Sequence, residues 1–393
     1  MAPWAARVLQ SILTGRGSAN CGVRSFAQPS SHRFSNHKKK HTMKSRSWVH
    51  LTGVILAIVF ALVPLSSALP CSRILWNDNN LAVVVGRTMD WPESTQPVLT
   101  VFPRGMDRNG GMVGPRELVK DNPAKWNSKY GSLVTTVYGV GSADGVNEKG
   151  FSGHMLYLNA ADFGPRDASK PALHAGLWLQ YLLDNAADVK EALALQEKVQ
   201  VVMAEANGHK TFVHLAIEDA SGNSAIIEFI GGKAVIHQGR EYRIMTNDPK
   251  YDEQLALLKQ FDFSKPTSDT ALPGNVNPRD RFQRAAYYAA LLPKPKNERE
   301  AIAGILAIAR NVSVPFGAPY KGFGIYNTEY RTAINLNSRR YFFELTTSPN
   351  VIWADLASFK LEPGSPVMIL NPDNVELSGN VTDKFQKLDK SPF

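Results

Sequence analysis

From residue 71 onward the chain alternates apolar and polar positions with two different periods. The first stretch has the period of strands. "CSRILW" and "LAVVVGRTMDW" are rich in β-formers and are separated by "NDNN", which has the composition of a hairpin turn. "VLTVFP", "SLVTTVYGVG" and "GFSGHMLYLN" extend the pattern, with "RNGGMVGP" and "DGVNEKG" reading as the turns between them. Helical spacing then takes over, with Leu173, Leu177, Tyr181, Leu182 and Val189 at related positions. Strands return in "TFVHLAIED", "AIIEFI" and "AVIHQ" over residues 211–238. Helices are predicted over 250–260, 279–292 and 297–311, and three more strands in "YRTAINLN", "YFFELT" and "VIWADL". Strands in blocks, separated by helices in blocks, argue against an alternating doubly wound sheet. They fit an α+β fold of two antiparallel sheets with helices on the outer faces. No linker or repeat divides residues 71–393, which read as a single domain.

Charge changes the picture only by its location. The 393 residues carry a formal net charge of +9, which on its own suggests nucleic-acid binding. Residues 1–70, however, hold nine Lys and Arg and no acid, leaving 35 basic and 35 acidic residues in the remainder. A neutral body has no electrostatic footprint for a phosphate backbone. Residues 51–63, "LTGVILAIVFALV", are apolar, follow Lys44 and Arg46, and precede the small-residue exit "PLSSALPC". That is the pattern of a secretory signal peptide starting at Met43 and cut after Ala68, implying a periplasmic or secreted protein with no stable membrane anchor. Two accounts fit residues 1–42: a start placed too far upstream, or an organelle transit peptide. The apolar core behind them favours the first, because a transit peptide needs none.

Removing residues 1–70 would leave Cys71 as the single thiol, since Cys21 lies in the leader. A lone thiol in an oxidising compartment is a liability unless it is buried or used. At a new N-terminus it would bring its own base, because a free α-amine has a pKa of roughly 7.7–8.0. An Arg nearby would favour thiolate, and a carboxylate would hold the amine. Arg87 and Asp90 in "GRTMDW" supply both types. Residues three apart on a strand face opposite sides, so Asp90, beside Trp91-Pro92, belongs at a strand end where the backbone can re-aim it. The five histidines after residue 70 (His154, His174, His209, His214, His237) show no metal-ligand spacing and read as structural, with His154 also a candidate for lining a pocket. Trp91 and the aromatics of "YKGFGIY" are further pocket candidates, the latter in a loop at a site mouth.

The blocks "CSRILW…GRTMDW", "DGVNEKGFSGHMLY", "MTNDPKYDEQL", "PRDRFQRAAYY" and "RNVSVP", in this order and spacing, resemble the penicillin V acylase and conjugated bile acid (choloylglycine) hydrolase family, closest to its Gram-negative exported branch. The resemblance runs from Cys71 to about residue 356. It implies a four-layer αββα N-terminal-nucleophile fold, no metal or organic cofactor, a small-molecule amide substrate and a homotetramer. It also implies roles: Cys71 as nucleophile with its α-amine as base, Arg87 beside the thiol, Asp90 anchoring the amine, Asn247 and the backbone N–H of Tyr157 as oxyanion donors, and Arg281 near the nucleophile. Bile acid hydrolases typically have Asn where Tyr157 stands, whereas penicillin V acylases can have an aromatic, which tilts the expected substrate toward phenoxyacetyl penicillin or an N-acyl homoserine lactone. Conjugated bile acids are the alternative, and a binding protein on a degenerate hydrolase scaffold is the alternative from another class. Leu69-Pro70 stands between the expected cut and Cys71, so a second, autocatalytic cut is expected.

Overall fold

In the computed structural model, described for residues 71–320 and 324–393, the strand blocks assemble into two large sheets. The expected leader and the centre of the "YKGFGIY" loop lie outside the described residues. The strands are β1 (Cys71–Trp76), β2 (Val84–Trp91), β3 (Val98–Phe102), β4 (Ser132–Val137), β5 (Gly141–Asn147) and β6 (Ser152–Tyr157). After them come β7 (Val213–Glu218), β8 (Ser224–Ile230), β9 (Lys233–Gln238), β10 (Ile244–Met245), β11 (Gly324–Asn335), β12 (Arg340–Leu345), β13 (Ile352–Asp355), β14 (Val367–Leu370), β15 (Gly379–Asn380) and β16 (Gln386–Leu388). The first sheet runs β10-β1-β2-β11-β12-β13-β15, and the second β9-β8-β7-β6-β5-β4-β3-β14-β16. Every pairing along these two paths is antiparallel except β13 with β15.

The helices are α1 (Trp178–Asn185), α2 (Val189–Gln196), α3 (Tyr251–Leu258), α4 (Pro278–Leu291) and α5 (Glu298–Asn311). Helix α4 packs on β1 and β10, and α5 on β2 and β11, which covers the outer face of the first sheet. Helix α1 packs on β5 and β6 and covers the second. With β1 against β6 between the sheets, the order is the four-layer αββα sandwich expected. The long helices begin where their side chains cap them. Asn277 accepts from the Asp280 N–H with Pro278 in the first turn, and Asn297 accepts from the Glu300 N–H.

Two local readings of the sequence are corrected. "DGVN" is not a turn but the second half of β5, paired with both β4 and β6; the turn itself spans Asn147 to Gly150, where Gly150 has φ +78°. Gly145, which suggested a turn, is there for close approach: a Cβ on it would lie 2.5 Å from Val134 Cγ1, just as one on Gly141, at the start of β5, would lie 2.2 Å from the Gly176 carbonyl. The helical spacing from Leu173 to Val189 is interrupted as well. Residues Ala172–His174 are a short strand, and an extended Ala186 ends α1 before Asp188 caps α2.

Candidate active site

Cys71 opens β1 opposite Met89 of β2 and is 2% exposed. Its backbone nitrogen donates to Asn247 Oδ1 at 2.5 Å, and its Sγ lies 3.6 Å from Arg87 Nη2. Burial pushes the thiol pKa up; Arg87 pulls it back toward the thiolate, and Asp90 adds to the rise. Arg87 sits in the middle of β2, fully buried, and also donates from Nη2 to the Met155 carbonyl at 3.2 Å. Asp90 is re-aimed as its place at the strand end requires: the pairing of β2 with β11 shifts register between Met89 and Asp90. Its carboxylate accepts from Thr328 and, at 3.1 Å, from the Thr88 hydroxyl, which itself accepts from the Ser72 N–H at 3.0 Å. Burial pushes the Asp90 pKa up, against the pull of Arg281 and the two threonines.

Arg281, one turn into α4, ties these parts together. Nη1 donates to the Cys71 carbonyl at 2.7 Å and to the Ser72 hydroxyl at 2.6 Å, Nη2 donates to Asn247 Oδ1 at 2.9 Å, and Nη1 lies 3.5 Å from Asp90 Oδ2. The planar guanidinium suits this multiple grip, which a lysine could not reproduce. Because Oδ1 of Asn247 takes two donors, the amide orientation is fixed and Nδ2 points to the Tyr157 carbonyl at 2.7 Å. Tyr157 ends β6. The next residue, Leu158, donates to Phe212, so Tyr157 stands at a non-hydrogen-bonded position opposite Val213 and its own N–H faces away from β7. On that side the pairing with β5 ends at His154↔Asp144, which leaves the Tyr157 amide at the edge of a cavity.

The cavity has a volume of about 110 Å³ and reaches the Cys71 thiol between Arg87, Met89, Met155 and Tyr157. Val137, Ala143 and Trp91 make most of the rest apolar. Trp91 Nε1 donates to Tyr138 Oη at 2.7 Å at the mouth. Trp91 and Tyr157 line the cavity, in edge contact 6.0 Å apart. Tyr326, read as a pocket aromatic, is instead buried, with its hydroxyl donating to the Asp90 carbonyl at 2.6 Å.

His154 is structural and lines no part of the cavity. Its ring is fully buried between the sheets, with Nε2 2.9 Å from Glu218 Oε1 and Nδ1 3.8 Å from Asp144 Oδ2. Asp144 in turn lies 3.9 Å from Arg87 Nη1 and accepts from Thr332 at 2.5 Å and Tyr341 at 2.8 Å. Asp144 and Glu218 were missed in the sequence. The strand alternation of Ser142, Asp144 and Val146 was the available signal, and the glycines beside it hid it. Among the described residues no group of three or more His, Cys, Asp or Glu could hold a metal ion.

A family model described as linear amide C–N hydrolases, choloylglycine hydrolase family, matches residues 71–376. The chain belongs to this family. The choloylglycine hydrolase match begins at Cys71, the residue on which the geometry converges. A penicillin V acylase from Pectobacterium atrosepticum is 35% identical over 374 residues, covering 88% of this chain and 97% of that one. The structure of a penicillin V acylase from Agrobacterium tumefaciens is 38% identical, covers 81% of this chain and 98% of its own, and superposes with a TM-score of 0.72. A mutant conjugated bile acid hydrolase from Clostridium perfringens, 21% identical and with a TM-score of 0.65 over 79% of this chain and 98% of its own, shares the fold. The protein is thus a linear amide C–N hydrolase of the choloylglycine hydrolase family with an N-terminal-nucleophile fold.

Proposed function

We propose that Cys71, freed at its amine by removal of residues 1–70, is the nucleophile of a penicillin V acylase-like hydrolase. One observation carries the reading: the same residue presents its Sγ to Arg87 and to the floor of an apolar cavity while its backbone nitrogen is held by Asn247. In the proposed reaction the α-amine takes the thiol proton, and the thiolate attacks the amide carbonyl. The oxyanion accepts from the second N–H of Asn247 Nδ2 and from the Tyr157 N–H. The ammonium then returns its proton to the leaving amine as the C–N bond breaks, leaving a thioester on Sγ. Water, deprotonated by the amine, attacks the thioester and releases the acid and the thiol. Arg281 holds the Cys71 carbonyl and Asn247 directly, whereas Asp90, expected to anchor the amine, acts on β1 through Thr88 and the Ser72 N–H, the Cys71 nitrogen donating to Asn247 instead.

The apolar cavity suits a hydrophobic acyl group, and Tyr157 at its edge supports phenoxyacetyl penicillin or a long-chain acyl homoserine lactone over a conjugated bile acid. The leader composition supports export, with a second cut removing Leu69-Pro70, and the family resemblance supports a homotetramer. Purified protein tested on penicillin V, penicillin G, glycocholate and a long-chain acyl homoserine lactone should turn over penicillin V or the lactone fastest, and preference for glycocholate overturns that ranking. Mass spectrometry of the N-terminus should find Cys71 first. Full activity with Leu69 retained would exclude the α-amine as base. Cell fractionation and light scattering check the compartment and the tetramer.

A further inference from the structure

Behind the cavity, five fully buried side chains form a row between the sheets: Arg87 on β2, Asp144 on β5, His154 on β6, Glu218 on β7 and Arg73 on β1. The two arginines stand directly opposite each other in the β1–β2 register, a placement that repels unless each faces an acid. Each does, on the opposing sheet: Asp144 stands 3.9 Å from Arg87, and Glu218 accepts from Arg73 Nε at 3.1 Å and from its Nη2. His154 fills the gap between the two carboxylates. A neutral imidazole has one nitrogen that can only accept, and that nitrogen would face a carboxylate, which also only accepts. The Nε2 contact to Glu218 is 2.9 Å, and the Nδ1 contact to Asp144, at 3.8 Å, is electrostatic and not a hydrogen bond; a ring carrying two protons turns a cation toward both carboxylates. The other groups beside this row are uncharged: Ser152 of β6 lies 3.5 Å from Nε2, and on the facing sheet Thr332 of β11 and Tyr341 of β12 bond to Asp144.

The consequence reaches the thiol. Arg87 divides its guanidinium between Cys71 Sγ at 3.6 Å and Asp144 at 3.9 Å. With a cation at His154, Asp144 is shared, and Arg87 is left to face the sulfur. Without it, Arg87 is the only cation beside Asp144 and is drawn away from the sulfur. We propose that His154 is an imidazolium and a positioning residue that acts through Asp144 to keep Arg87 directed at the Cys71 thiol. The surrounding charges agree. Burial pushes the imidazole pKa down, but Glu218 and Asp144 outweigh it and hold it above its ordinary value. Glu218, despite burial, is held down to about 2 by Arg73 and His154.

The inference rests on Cys71 being the nucleophile, so its test reads the thiol directly and not only the turnover. The rate of iodoacetamide labelling of the Cys71 peptide, followed by mass spectrometry across pH, gives the thiol midpoint in wild type and in His154→Gln. The variant should shift the midpoint upward by about one unit, or about tenfold less thiolate at neutral pH. kcat/KM should fall by a similar factor at neutral pH and recover toward wild type as pH rises, with KM little changed. A folded His154→Gln with an unmoved midpoint overturns the proposal, whatever its loss of thermal stability. If that variant does not fold, histidine-selective 15N spectra of the wild type decide: a doubly protonated ring at pH 8 supports the proposal, and a neutral ring overturns it. A wild type that labels normally but hydrolyses no amide would fail the function proposed above and leave this coupling standing.

Discussion

Cys71 has two very different neighbourhoods. Toward the cavity it meets Met89, Met155, Ala143 and Trp91, with Tyr157 at the edge. Behind Arg87 lie four more charged side chains, none with measurable exposure. The apolar side excludes water and leaves room for an acyl group, but its low polarity alone would keep the thiol protonated. The charged side offsets that through one guanidinium. On the function and coupling proposed above, reactivity and specificity are separable: the front would set what binds, and the back how the sulfur ionises.

That separation can be broken most completely at its centre. Cys71→Ser should lower turnover on the order of 10^4-fold or more while the fold, read by circular dichroism, is kept. Arg87→Met should damage both sides at once, leaving Asp144 with less cationic support; loss of one partner from a buried pair costs about 3–5 kcal/mol, read as a fall in the denaturant midpoint alongside lost activity. Asn247→Ala removes the proposed oxyanion donor and the acceptor for Cys71 and should lower kcat about 10^2–10^3-fold or more.

Smaller changes should sharpen the contrast. The Glu218 carboxyl is depressed from 4.5 to about 2 in the fold. Its contribution to stability is therefore complete above about pH 4.5 and is lost as pH falls toward 2, because the unfolded chain binds the proton first. Glu218→Gln should flatten that part of the stability–pH curve, measured by thermal melts from pH 7 to pH 3, and lower stability at pH 7. Tyr157→Asn, on the front, should leave the thiol midpoint unchanged and alter the ratio of penicillin V to glycocholate turnover by severalfold. A shifted midpoint in that variant would mean that the two sides are not independent.

The front and the clamp were largely legible in the sequence. Arg87, Asp90, Asn247 and Arg281 are drawn around Cys71, and each stood in a block whose order and spacing pointed to it. The strand end at Asp90 followed from side-chain alternation, and the register shift supplies it. The charged row was not legible. Asp144 stands next to Gly145 in a segment with turn composition, and the glycine is there because Val134 leaves no space for a Cβ. His154 reads in the sequence as structural and also as a candidate pocket wall, because a histidine three residues from Tyr157 can be placed on either side of the strand by sequence alone. Which side depends on the packing of one sheet on the other, which no local pattern encodes.

Chain ends ordinarily fray, because the last residues have few partners. A cut before Cys71 would create an end already paired to Met89 and gripped at its carbonyl by Arg281 and at its nitrogen by Asn247. Such a terminus would have almost no conformational freedom to lose when substrate arrives, so the Cys71 thiol and its amine would be ordered as a side effect of folding.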